Sequence, residues 1–281
     1  MLPKAPNNDF PGRYREIVSD PINIAIERDP KSGYMQDGKV YLHNGLMVPV
    51  VGPHAYYGNF SAILVINRGV HEPLEEYIFQ EMLKVLPTTP TMLELGAYWG
   101  HYSMWLQQAY PNASCHLVEP EKINLEAGKL NFKENNFKGK FTHAFVGKGQ
   151  FSVDNYIKQN KLKKLDILHS DIQGYEVEML NDCKKAFDKR LVDRVFVSTH
   201  SNDLHRESIE ILESHGYIIE VSSDYNDETT SNDGIIFASS PDIKPLFSDF
   251  KPLGRQEIAN ASASELTNYV SSIIKNAATK T

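Results

Sequence analysis

Glu94, Gly96 and Gly100 stand in one stretch, TMLELGAYWGHYS from Thr91 to Ser103, at a spacing that suits a small ligand carrying positive charge. A short apolar run, Met92 to Leu95, is broken only by Glu94 and passes through the two glycines into an amphipathic segment, Tyr102 to Tyr110. A strand, a glycine turn and a helix start in that order form the layout of a nucleotide-type site in an open α/β sheet. Glycine is needed where the backbone takes positive φ or comes close to a ligand. The helix start turns unpaired amides, and the positive end of its dipole, toward whatever lies above it. The spacing is E-x-G-x-x-x-G, not the G-x-G-x-x-G that cradles a pyrophosphate, which argues against a nicotinamide-dependent oxidoreductase. Glu119 lies 19 positions after Gly100 and closes a second apolar run, Cys115 to Val118. A carboxylate at that place can take both hydroxyls of a ribose.

The elements needed to position these residues follow from Thr91 onward as a regular alternation. Strands are predicted at Met92 to Leu95, Cys115 to Val118, Phe141 to Val146, Asp166 to Ser170, Arg194 to Thr199, Tyr217 to Val221 and Ile235 to Ala238. Helices are predicted at Tyr102 to Ala109, Ile123 to Asn135, Ser152 to Lys158, Tyr175 to Ala186 and Leu204 to Ser214. Seven strands with interposed helices imply an α/β fold: an open, twisted, mostly parallel Rossmann-like sheet with helices on both faces. Ligands of such sheets gather beyond the carboxyl ends of the strands. The fourth strand ends in His169-Ser170-Asp171 and the fifth in Ser198-Thr199-His200-Ser201-Asn202. Asp171 and Gln173 should therefore face the same crevice as Gly96, with His200 a near neighbour of Asp171.

Ahead of this core, residues 1–30 are rich in breakers (Pro3, Pro6, Pro11, Pro21, Pro30) and predict an arm that is loose or lies over another surface. GKVYLHNGLMVPVVG carries a hairpin signal at Asn44-Gly45, and a second apolar run spans Ser61 to Ile66. Residues 31–70 are expected to form a small antiparallel cap, whose loop HAYYGNF either covers the site or fills a seam with aromatic rings. His71 to Leu86 reads as a helix with Pro73 in its first turn. Near the other end, Ser262 and Glu265 form a capping box ahead of the stripe Leu266, Tyr269, Val270, Ile273 and Ile274. The expected division is 1–70 arm and β cap, 71–240 core, and 241–281 extension, with the last helix a candidate contact for a homo-oligomer.

LELGAYWG and LVEP resemble the first motif and the acidic end of the second strand of class I S-adenosylmethionine-dependent methyltransferases. DILHSDIQGYE resembles the KIDVEGAE-like signature of the FkbM family within that class. The resemblance covers roughly Pro87 to Ser240. Two departures are Gln173, where the signature has Glu, and Tyr175, where it has a small residue. The resemblance implies an antiparallel last strand and S-adenosylmethionine as cofactor. It places Glu94, Gly96 and Gly100 along the methionine part, and makes Ala97, Tyr98 and Ser103 further cofactor-binding residues. Glu119 would lie on the ribose with Pro120 beside it, and Asp171 in the cofactor crevice. Tyr98 and Trp99 suit stacking on adenine or substrate, and equally core packing.

The implied reaction is methyl transfer to a hydroxyl of a small molecule such as a sugar or secondary metabolite. A neutral alcohol is a poor nucleophile, so its proton must leave as the oxygen attacks. Asp171 and His200 are the candidates for that step, histidine being the usual base near neutrality. The other route is a divalent metal held by Asp171 with His200 or Asn202, lowering the pKa of a bound hydroxyl. A methyltransferase-like protein that binds the cofactor or a related nucleoside without transferring anything is the competing reading.

The totals agree with a cytoplasmic protein. Apolar residues make up 41% of the chain, enough for a substantial core, and the net charge of -7 disfavours nucleic acid as a main partner. The two cysteines, Cys115 and Cys183, lack metal-ligand spacing and read as free thiols in a reducing compartment. The first residues lack the apolar core of a signal peptide, and no run approaches the ~20 apolar residues of a membrane span.

Overall fold

A computed structural model of the chain describes residues 4–147 and 149–278; Pro3 of the expected arm lies outside the described residues. The chain forms two compact units. One comprises Met1–Val85, Asn226–Asn232 and Pro252–Thr281, and the other Leu86–Tyr225 and Asp233–Lys251.

The first unit begins with a helix, α1 (Phe10–Ser19), where an irregular arm was expected. Pro11 sits in its first turn, where the missing N–H costs nothing, and the Asp9 side chain caps it through Gly12. Three short strands follow, β1 (Met35–Gln36), β2 (Lys39–Tyr41) and β3 (Met47–Pro49), paired antiparallel in that order. The Asn44-Gly45 signal is met by the β2–β3 turn, with Gly45 at φ 83. A second hairpin went unread in the sequence. Asp37 and Gly38 both take positive φ (51 and 75), the conformation of a two-residue type I′ turn.

The run at Ser61 to Ile66 is not a strand but a short helix, α2 (Ala62–Ile66). Five apolar residues in a row fit either element, and here Ile63 and Leu64 turn inward while Ile66 is exposed. Gly69 ends the segment; a Cβ there would sit 2.1 Å from the His43 amide nitrogen.

The next helix, α3 (Pro73–Leu83), is buried around nearly its whole girth, and it carries four buried polar side chains, Glu75, Glu76, Gln80 and Glu81. Glu76 is the hub. Its carboxylate lies 3.0 Å from His43 Nε2 and 2.6 Å from His71 Nδ1, and it accepts the backbone N–H groups of His71 and Glu72. Burial alone would lower the His71 pKa, but Glu72, Glu76 and Glu75 outweigh it and raise it to about 9. Glu76→Ala strands two buried imidazoles, so unfolding should become easier by about 3–5 kcal/mol. A raised histidine pKa stabilises fully below about 6.5 and ceases to do so as pH rises through about 9. Urea denaturation at a series of pH values should therefore show the Glu76→Ala penalty largest at low pH and shrinking across that window.

In the second unit the order is β4 (Thr91–Leu95), α4 (His101–Ala109), β5 (Ser114–Glu119), α5 (Lys122–Glu134), β6 (Lys140–His143), α6 (Val153–Gln159) and β7 (Leu165–Ser170). It continues through α7 (Glu176–Asn181), α8 (Lys184–Asp188), β8 (Val192–Thr199), α9 (Asn202–Ser214), β9 (Ile218–Ser223) and β10 (Gly234–Ser239). The sheet runs β6-β5-β4-β7-β8-β10-β9, with β10 antiparallel to both its neighbours. Its central strands are almost wholly buried, which accounts for their mostly apolar make-up around a few polar positions such as Glu94, His169 and Arg194.

Two predicted boundaries move. The third predicted strand, β6, stops at His143, because the chain leaves the sheet after Ala144 donates to the Glu119 carbonyl. The predicted helix Tyr175 to Ala186 breaks into α7 and α8, because Asp154 of α6 accepts the amides of Lys185 and Ala186 and starts a new helix there.

Residues Pro252–Thr281 return to the first unit with α10 (Arg255–Asn260) and α11 (Ala263–Ala278). The predicted capping box is present, with Ser262 and Glu265 bonded reciprocally. In the apolar stripe Ile273 is fully buried, whereas Ile274 is exposed. Among the described residues no helix is long and apolar enough to cross a membrane.

Candidate active site

The chain order around the sheet creates a switch point. From β4 the path steps outward to β5 and β6, then returns to the other side of β4 with β7 and β8. The crevice between the diverging connections opens beyond the carboxyl ends of β4 and β7. Gly96 and Asp171 meet there. The Asp171 N–H donates to the Leu95 carbonyl at 2.9 Å, and a Cβ on Gly96 would lie 1.7 Å from the Asp171 carbonyl oxygen. Only glycine fits that approach, and its φ of 71 agrees.

Around this bend the backbone is fixed from two sides. Gly96 and Ala97 both donate to the Val118 carbonyl, at 2.9 and 3.0 Å. Tyr98 takes φ 41, rare for a residue with a side chain, and its N–H is held by Glu119 Oε2 at 2.9 Å. Glu119 Oε1 accepts the Glu121 N–H, also at 2.9 Å, and burial raises the pKa of this carboxyl against those donors. Pro120, next in line, gives its carbonyl to His143. Gly100 caps α4 at φ 75 and packs close to Phe132.

Glu94 is buried in β4, and its carboxylate accepts the Ser103 N–H of the first turn of α4 at 3.2 Å. Burial raises its pKa, opposed by His169 and the Ser103 donors. Trp99 is buried and stacks on His101 at 5.1 Å. His205 is buried as well, held between Thr199 and Ser222.

The second half of the site lies beside Asp171. His200 follows β8 and points Nε2 at Asp171 Oδ1 (3.3 Å) and Asp233 Oδ1 (3.4 Å). Its Nδ1–H donates to Glu176 Oε1 at 2.6 Å. Burial disfavours charge on this imidazole, but Asp171, Glu176 and Asp233 outweigh it and raise its pKa to about 11. The surrounding carboxylates favour the protonated ring. Gln173, with φ 56, folds back so that its amide nitrogen lies 3.3 Å from Asp171 Oδ1.

Asp171 and His200 are thus together, while Asn202 opens α9. Asp233 and Glu176 are the members of the cluster that sequence reasoning missed. Asp233 comes just before β10, and only that strand's antiparallel direction brings its start to the edge where the parallel strands end. Glu176 had one signal, the acidic residue three places after Gln173 in the quoted motif.

The profile of the methyltransferase FkbM domain matches residues 55–219. No curated protein matches the chain. Among solved structures the chain is similar to precorrin-6y C5,15-methyltransferase from Geobacter metallireducens GS-15, with 19% identity and a TM-score of 0.44 over 58% of this chain and 87% of that one. It is also similar to TrmK of M. capricolum in complex with S-adenosyl-homocysteine, at 13% identity and TM-score 0.41 over 71% and 84%. A third likeness is to ribosomal protein L11 methylase from Lactobacillus delbrueckii subsp. bulgaricus, at 11% identity and TM-score 0.42 over 59% and 78%. At these identities the likeness is one of fold alone.

Proposed function

Because the chain belongs to the FkbM family of S-adenosylmethionine-dependent methyltransferases, we propose that it methylates a hydroxyl of a small polyhydroxylated molecule, such as a sugar or secondary metabolite. The observation that carries the reading is the carboxylate–imidazole–carboxylate cluster at the edge where Gly96 and Asp171 meet. The bend fits the cofactor. It offers a side-chain-free approach at Gly96, the amide-rich start of α4, and the carboxylates of Glu94 and Glu119 for a ligand bearing cationic groups and a ribose. When bound, the cofactor supplies a methyl group activated on a sulfonium.

The protein's own part is orientation and proton removal. Asp171, 28% exposed, is the more open of the two aspartates facing His200 and can reach an acceptor hydroxyl. Its carboxylate takes the proton as the oxygen attacks. His200, whose protonated form the three carboxylates favour, is less able to take that proton. It holds Asp171 and Asp233 in place and balances their charge.

A divalent metal is the second reading. Ligand atoms of Asp171, His200 and Asp233 lie within 4.8 Å of one another, and His200 Nε2 is buried without a well-aligned hydrogen bond. Such an ion would polarise the acceptor hydroxyl, with Asp233 taking the place expected of Asn202. The strong preference of His200 for its proton opposes this reading.

Single-turnover transfer from methyl-labelled cofactor to a panel of sugars, polyols and amines, with and without chelator, tests the proposal. Label in an acceptor hydroxyl irrespective of chelator supports it. Label on nitrogen acceptors only would contradict it, and loss of label with chelator would favour the metal.

A further inference from the structure

Glu176 opens α7 with no exposed surface, and neither step above gives it a contact with acceptor or cofactor. Its Oε1 nevertheless receives two donors, the His200 Nδ1–H at 2.6 Å and the Gly174 N–H at 2.9 Å. Gln173 and Gly174 both take positive φ (56 and 103), so the turn after Asp171 sits in a conformation that needs an anchor. A helix cap would explain the Gly174 contact, but a neutral side chain caps as well without the cost of burying a charge. The second donor sets this carboxylate apart. It joins the turn that carries Asp171 to the loop that carries His200.

We propose that Glu176 is a positioning residue for methyl transfer: it locks the His200 ring so that Nε2 faces Asp171 and Asp233, and it holds the Asp171 turn at that distance. Without the anchor the ring can turn about its Cβ–Cγ bond, which exchanges Nε2 with Cε1 before the two aspartates. A misplacement of that kind near the reacting atoms costs about 100-fold in rate. The inference rests on the reading of Asp171 and His200 given above.

The test compares Glu176→Gln, Glu176→Ala and Asp171→Asn for turnover, adenosylhomocysteine affinity and the ring nitrogen signals of His200 in ¹⁵N-labelled protein. Glu176→Ala should lower kcat roughly 100-fold and Glu176→Gln roughly 10-fold, since glutamine keeps an acceptor for Nδ1–H. Cofactor-product affinity and acceptor KM should stay within about threefold. The two ring nitrogens should give sharp signals in the wild type, whereas in the Glu176 variants, Ala more than Gln, they should broaden or double as the ring turns between two orientations.

Wild-type kcat in both Glu176 variants, or lowered kcat with unchanged His200 signals, would overturn the proposal. Should Glu176→Ala not fold, the isosteric Gln variant carries both readouts. The ring signals are read in resting protein, so they report on Glu176 even if Asp171→Asn retains turnover and the base assignment itself fails.

Discussion

Asp171→Asn is expected to lower kcat by roughly 10²–10⁴-fold while adenosylhomocysteine binds within a few-fold of the wild-type affinity. Asparagine has nearly the volume of aspartate, and its carbonyl oxygen can still face the Gln173 amide and the His200 ring. The backbone contact of residue 171, N–H to the Leu95 carbonyl at 2.9 Å, is unaffected. What the variant lacks is a place for the acceptor's proton. Steady-state kinetics with a saturating acceptor and calorimetry with adenosylhomocysteine separate the two effects. Undiminished kcat would remove Asp171 from the reaction. A loss of affinity as large as the loss of rate would make it a cofactor ligand rather than a base.

Gly96→Ala should be strongly destabilising. The added methyl meets the Asp171 carbonyl oxygen at 1.7 Å; the backbone fixes the methyl and the oxygen is main chain, so no rotamer change relieves the clash. A left-handed alanine adds about 1–2 kcal/mol, and forcing β4 and β7 apart at their ends brings the total to about 3–5 kcal/mol. Gly149→Ala is the control. It has φ 77 but nothing within 4 Å, so only the conformational part, about 1–2 kcal/mol, should appear. Chemical denaturation of the two variants checks the difference. Equal costs would mean that the bend at Gly96 is not held as tightly as the geometry states.

The sheet and the edge where its bends meet were legible because a parallel strand buried on both faces is mostly apolar, interrupted at single positions, and glycine marks the tight bends between them. Thr91–Leu95, Ser114–Glu119 and Leu165–Ser170 all carry that pattern. Charged residues just after those runs, Glu119 and Asp171, then fall at one edge by topology alone. The same logic hides Asp233, because it precedes its strand and joins the edge only through the antiparallel pairing of β10 with β8.

Short elements were harder to read for a different reason. Ala62–Ile66 is too short for its apolar residues to show a period, and the proline at position 11 reads as a breaker until the cap from Asp9 is seen. The buried Glu76 hub was invisible as well. In a linear reading HEPLEEY is a helix start with acidic first-turn residues, and only the fold shows His43 and His71 closing on one carboxylate.

The protonation of His200 separates the account from its nearest alternative, and the pH profile of kcat reads it most directly. Asp171, Glu176 and Asp233 surround the ring, so kcat should be level from about pH 7 to about pH 9 and fall as pH approaches about 11, where the imidazolium loses its proton. The stabilising effect of the charged ring is complete below about 6.5 and disappears over the same rise. A kcat that climbs with pH through an apparent pKa near 6.5 would contradict this, for it would make His200 the group that removes the proton.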